Sequence, residues 1–169
     1  MNLVLLSARI IHVGLGTFWA GAMIFNALFL FPAIRDAGPD GAKVAGGLMR
    51  RNFMVVVPIV AILTLLSGFY LLSMAAGLTP GYMGTRIGMV YSTGMLASLV
   101  AFAVGIGIVR PSMIKAITLS QSVGSAGPAE RDRILGEIQR LRAKAGIGGQ
   151  IVAYLLGLAV VTMAVARYI

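Results

Sequence analysis

The chain has 169 residues, 59% of them hydrophobic and 11% charged, with a formal net charge of +9. Soluble domains carry about 25% charged residues, so this composition excludes an ordinary soluble domain and a disordered chain and indicates an integral membrane protein. Cysteine is absent and His12 is the single histidine; disulfides, thiolate metal sites, c-type haem attachment, a cysteine nucleophile and a multi-histidine cage within one chain are all excluded.

The first apolar stretch runs over residues 10–34 without Asp, Glu, Lys or Arg. It lacks a charged leader and is too long for the core of a signal peptide, so it reads as a retained span. Arg9, His12, Gly16, Trp19, Met23 and Asn26 recur along it at helical spacing and form one stripe. Lipid-facing stripes are Leu, Ile, Val and Phe, so this one is expected to face the interior. Further apolar stretches cover residues 53–76, 87–109 and 147–166, equally free of charge. A helix needs roughly 20 residues to cross about 30 Å of hydrocarbon, and helices are the open-chain way to satisfy the backbone in lipid. Pro32 and Pro58 lie near span ends. The short connection with Gly77, Pro80, Gly81 and Gly84 has turn chemistry, making the second and third spans a tight hairpin.

The longer connection, 110–146, contains an amphipathic pattern over about 128–145. Pro128 suits a first helical position, Glu130 and Asp132 the first turn. Ile134, Leu135, Ile138, Leu141 and Ala145 share a face, and Arg131, Arg133, Arg140, Arg142 and Lys144 fill much of the rest. Gly146, Gly148 and Gly149 are expected to end this helix, which would lie in the headgroup plane against anionic lipid. The fold expected is therefore all-α: one transmembrane domain over 1–169, a four-helix antiparallel bundle with a cytoplasmic amphipathic helix between spans three and four.

Direction follows from charge. The connections 35–52 and 110–146 hold eleven of the fourteen basic residues; the other side has Arg9, Arg86 and Arg167. The positive-inside rule places the two long connections in the cytoplasm and both termini in the periplasm of a bacterial inner membrane. The basic surplus is thus read as facing lipid headgroups, not nucleic acid. A faint duplication is also visible: Arg9-Ile-Ile-His12-Val opens span one and Arg86-Ile-Gly-Met89-Val opens span three, which pairs His12 with Met89.

His12 carries two open readings. As a functional group, its neutral imidazole suits haem iron, copper or a proton relay, with Arg9 holding an anionic group, Trp19 lining the site and Met89 as a second ligand. As a structural group, Arg9 and His12 reach water at the outer interface and Trp19 is packing. The ten methionines read as core filler rather than a copper site. Gly84 and Gly88 form a GxxxG pair, and the many small residues permit close helix contact and a homodimer or larger membrane complex. No carboxylate lies in a span, and the P-loop, nucleophile elbow and HExxH patterns are missing.

The opening Arg9-Ile-Ile-His12, Phe18-Trp19-Ala20-Gly21 and Phe31-Pro32-Ala33 resembles the first helix of a loose group of small bacterial membrane proteins, which includes copper-resistance D-type domains, HemJ-type protoporphyrinogen oxidases and uncharacterised four-helix families. The closing Met163-Ala-Val-Ala-Arg167-Tyr168 resembles the uncharacterised members. The resemblance implies four antiparallel helices and haem or copper handling with His12 at the early histidine position; the further histidines of the haem-handling members are missing. The leading functional expectation is a non-enzymatic small membrane protein, free-standing or an accessory subunit; the alternative is a haem- or copper-handling protein with His12 as metal ligand.

Overall fold

The computed structural model describes residues 2–38 and 40–169, apart from the side chain of Arg167. Among them the chain is helices joined by short turns, with no strand. Four helices are long and apolar enough to cross a membrane: α1 (Leu3–Asp36), α3 (Phe53–Leu78), α4 (Arg86–Ser125) and α5 (Pro128–Val165). A short helix, α2 (Gly41–Arg50), lies between the first two, in a stretch that the sequence marks only as a basic connection. The helix starts have chemical causes. Asn2 Oδ1 accepts from the amides of Val4 and Leu5 at 3.1 and 3.3 Å, and Thr85 Oγ1 accepts from the amide of Gly88 at 3.0 Å, satisfying donors a helix leaves open. Gly127 precedes α5, with Pro128 and Glu130 in its first turn.

Two expectations need correction. Helix α5 does not break at Gly146, Gly148 and Gly149: residues 128–145 and the fourth apolar stretch form one helix of 38 residues. Glycine costs a helix interior only about 1 kcal/mol relative to alanine, and two of these glycines are contact points. A Cβ on Gly148 would sit 2.9 Å from Val109 Cγ2, and one on Gly149 3.0 Å from Phe31 Cε2. The apolar face of 128–145 is also not left for the headgroup plane. Ile134, Ile138 and Ala145 are buried, because α4 continues past its apolar stretch and packs alongside with Met113, Ala116 and Ile117 buried in turn. Each of these two helices is about 60 Å long at 1.5 Å per residue, roughly twice the hydrocarbon thickness. Ile34, Ala45 and Ile117 form a small second core that ties α1, α2 and α4 together at the basic end.

The Gly84/Gly88 pair is not a helix–helix contact either. Gly84 lies in the 3₁₀ turn before α4, and a Cβ on Gly88 would collide with the Tyr82 carbonyl of that same turn. The close approaches lie elsewhere. Helix α1 packs mainly on α3, and α4 on α5, with sparser contact between α3 and α4. The main core draws Trp19, Met23, Ala61, Ala101, Val152 and Leu156 from all four long helices. Outward faces stay apolar: only 17–33% of each apolar window is buried within the chain, the pattern of helices whose remaining surface meets lipid.

Helices α1 and α4 share a distortion. Each holds a π-turn, Asn26–Leu30 and Gly105–Val109, and each turn is followed at the second position by a proline, Pro32 and Pro111. Proline lacks an amide hydrogen and crowds the carbonyl four residues back. Widening the helix by one residue relieves this: the amides of Phe31 and Arg110 bond to the carbonyls of Asn26 and Gly105, five residues back. This register pairs Asn26 with Gly105. It pairs His12 with Tyr91, two positions beyond the Met89 that the Arg9/Arg86 likeness suggests.

Candidate functional site

The π-turns face one cleft. Its walls come from all four long helices, with Trp19, Met23, Asn26, Val57, Ala61, Ala101, Phe102, Gly105 and Val152 among the lining residues, and it encloses a cavity of about 60 Å³. Trp19 and Phe102 meet edge to face at 6.5 Å between ring centroids, a favoured aromatic geometry. Apart from the indole N–H of Trp19, the wall is apolar except for two groups. Asn26 is 3% exposed, and its side-chain amide nitrogen has no hydrogen-bond partner. A buried unpaired donor costs about 1–3 kcal/mol, so it calls for an explanation.

The second polar group is Arg110, at the mouth. Its placement follows from another proline. Pro58 lies inside α3 and leaves the Met54 carbonyl, four residues back, without its helical amide partner. Arg110 Nε donates to that carbonyl at 2.9 Å across the α3–α4 gap. The guanidinium is thereby anchored by one nitrogen, with its Nη groups uncommitted. No carboxylate balances its charge. Asp36, Asp40, Glu130 and Glu137 pair with Arg35, Lys43, Arg133 and Lys115, and the remaining acid, Asp132, lies in the first turns of α5.

The residues singled out for chemistry are divided differently. His12 is half-buried and its Nδ1 donates to the Thr64 carbonyl of α3 at 2.9 Å; a carbonyl only accepts, so Nδ1 carries the hydrogen. The ring rests on Gly68, where a Cβ would come within 2.6 Å of His12 Cε1. The stripe of α1 faces inward from His12 through Gly16 and the buried Trp19, Met23 and Asn26, but Arg9, its first member, is exposed. Met89 is 52% exposed on α4, whereas the contacts of His12 lie on α3. Of the four expected site residues, Trp19 alone lines the cleft.

As a metal site His12 is incomplete. It offers one lone-pair nitrogen, Nε2, and it does not line the cleft. Among the described residues no three His, Cys, Asp or Glu side chains cluster. The residues around His12 therefore do not fit a haem held by this chain alone. The cleft residues that matter most, Asn26 and Arg110, are visible in the sequence only as a lone amide in an apolar span and a basic residue at a span end. No protein family, curated protein or solved structure matches this chain.

Proposed function

We propose that the chain is a non-enzymatic multi-pass protein of the bacterial inner membrane, an antiparallel four-helix bundle whose working part is the cleft between its spans, acting free-standing or as an accessory subunit of a larger membrane complex. The observation that carries this reading is the cleft itself: apolar walls with the Asn26 amide and the Arg110 Nη groups left open, and beside them, among the described residues, no acid–base pair or nucleophile in hydrogen-bond contact. Such a site is built to bind, not to transform. The basic asymmetry supports cytoplasmic placement of α2 and of the α4–α5 turn, with both termini periplasmic. A periplasm-only reporter fused after Ile169 is expected to be active, and a cytoplasm-only reporter inserted at Gly127 likewise; the reverse pattern overturns the orientation. Mild extraction followed by identification of co-purifying chains separates the two forms of the proposal. A stoichiometric partner makes the chain a subunit, and a monodisperse single species makes it free-standing.

A second reading keeps His12 as a metal ligand. Its support is the Nδ1–H bond to the Thr64 carbonyl, the kind of interaction that orients metal-binding imidazoles and leaves Nε2 free. Further donors would come from a second chain. Protein purified from its native membrane decides the matter: a Soret band or stoichiometric copper lost in His12→Ala supports this reading, and a colourless, metal-free wild type removes it.

A further inference from the structure

We propose that the cleft holds an anionic glycerophospholipid, with its phosphate on the Nη groups of Arg110, an ester carbonyl accepting from Asn26 Nδ2, and the upper acyl chain against Trp19, Phe102 and Met23. This rests on the membrane placement above and names the ligand of that cleft.

Each element of the site asks for one part of such a molecule. Arg110 is fixed by Nε on the Met54 carbonyl at 2.9 Å, so its remaining nitrogens are presented rather than mobile. Four of the five acids of the chain are paired elsewhere, so the counter-charge comes from outside it. A guanidinium with two free nitrogens matches phosphate geometry. Elsewhere in the lining, the unpartnered and 97%-buried Asn26 amide suits a neutral acceptor, because no second cation accompanies it there. Asn26 opens the π-turn of α1, while Arg110 follows the five-residue π-turn of α4. Both line the one cleft, which therefore offers a charged and a neutral donor to a single occupant. The rest of the wall is apolar and aromatic, as a chain requires. The sparse α3–α4 contact provides a lateral entry from the bilayer. A wholly apolar occupant would leave Asn26 unpaired, and a free anion would leave the apolar wall unfilled.

Trp19 is the only tryptophan and lines the cleft, so its fluorescence reports occupancy. The full chain in nanodiscs of neutral phosphatidylcholine is titrated with brominated phosphatidylglycerol, whose bromines quench indole on contact, and separately with brominated phosphatidylcholine. The expected result is saturable quenching by the anionic lipid at low mole fraction, and only weak, linear quenching by the neutral one. Arg110→Gln is expected to weaken the anionic preference roughly tenfold, as the loss of one charge-assisted contact implies, and Arg110→Lys to restore part of it. Asn26→Leu removes a donor that already lacks a protein partner, so it folds even if the arginine variants do not, and it is expected to weaken saturation for the anionic lipid. Equal, linear quenching by both lipids in wild type overturns the proposal, as does saturation unchanged in Asn26→Leu. Relief of quenching by millimolar inorganic phosphate identifies a free-anion site and overturns the lipid assignment. Failure of the membrane reading is distinguishable, because a chain that does not insert fails to co-elute with the nanodiscs before any brominated lipid is added.

Discussion

The His12 contact and the π-turn cleft lie on the same helix and use polar groups in opposite ways. At His12, the polar atoms that face each other between α1 and α3 are paired within the chain, and only Nε2 of the ring is left over. Nδ1 bonds the Thr64 carbonyl, Thr64 Oγ1 bonds the Val60 carbonyl at 2.8 Å, and Gly68 removes the side chain that would block the ring. At the cleft, Asn26 is buried with its amide unspent, and Arg110 has spent one nitrogen of three. An ionisable group inside a membrane helix is a functional candidate by default, yet here one nitrogen of the histidine is tied to the neighbouring helix while the buried amide nitrogen of Asn26 is tied to nothing. Spare hydrogen-bonding capacity, rather than residue type, distinguishes a binding surface from a structural joint.

The sharpest way to break this contrast is at Gly68. In an exposed helix, Gly→Ala stabilises by up to about 1 kcal/mol. At Gly68 the added methyl meets His12 and pushes the ring off Thr64, so Gly68→Ala is expected to destabilise by about 2–3 kcal/mol, read as a lower unfolding midpoint in detergent. In a His12→Ala background the same change is expected to be neutral or stabilising. This coupling is what a double-mutant cycle measures. If Gly68→Ala costs the same in both backgrounds, His12 is not the group that Gly68 accommodates.

His12→Ala alone is the next largest effect. It deletes one interhelical hydrogen bond and leaves a gap against Gly68, for an expected loss of about 1–3 kcal/mol, with membrane insertion retained. A midpoint equal to that of wild type would remove this tie between the helices as a source of stability.

Asn26→Leu sharpens the comparison from the other side. Replacing a buried donor that has no partner with an apolar side chain of similar size removes a desolvation penalty, so stability is expected to be unchanged or to rise by about 1 kcal/mol. A fall of more than about 1 kcal/mol would show that Asn26 holds the fold together, and the cleft would lose its claim to an uncommitted donor.

The sequence makes the four apolar helices legible because lipid imposes a length and a charge rule that composition reveals at once. The inward stripe from His12 to Asn26 is legible for the same reason. The stretches 110–125 and 128–145 are less so. Serines and a proline in the first and glycines after the second resemble breaks, while the mutual burial of Met113, Ile117, Ile134 and Ile138, which joins them into long helices, is a tertiary fact. The cleft is hidden more deeply still. Pro32, Pro58 and Pro111 are apparent in the sequence, but a proline reads as a local defect. Only packing shows that two of them accompany π-turns and that the third frees the carbonyl on which Arg110 is anchored. The glycines show the same limit: Gly84 and Gly88 match a motif without forming a contact between long helices, whereas Gly68 matches none and accommodates the His12 ring.

The smallest expected effect lies at the basic end, where α4 and α5 are joined by Lys115 and Glu137 at 3.0 Å. The hydrogen bond and charge of Lys115 lower the Glu137 carboxyl below its ordinary value of 4.5, with help from the nearby Arg140 and Arg133. A carboxyl lowered in the folded state contributes stability that is fully present above its ordinary value and is lost as pH falls through the lowered one. The pair is solvent-exposed and screened by salt, and such pairs contribute little. Glu137→Gln is therefore expected to shift the unfolding midpoint only slightly at neutral pH. The difference between wild type and variant should shrink at high salt, and fade as pH falls from the ordinary carboxyl value through the lowered one. Unlike His12 and Gly68, this contact joins side chains that water solvates well when apart. A large, salt-independent loss in Glu137→Gln would mean that the α4–α5 extension is held by this ion pair rather than by Met113, Ile117, Ile134 and Ile138, and the apolar contact would lose its place as the reason the two helices continue together beyond the membrane.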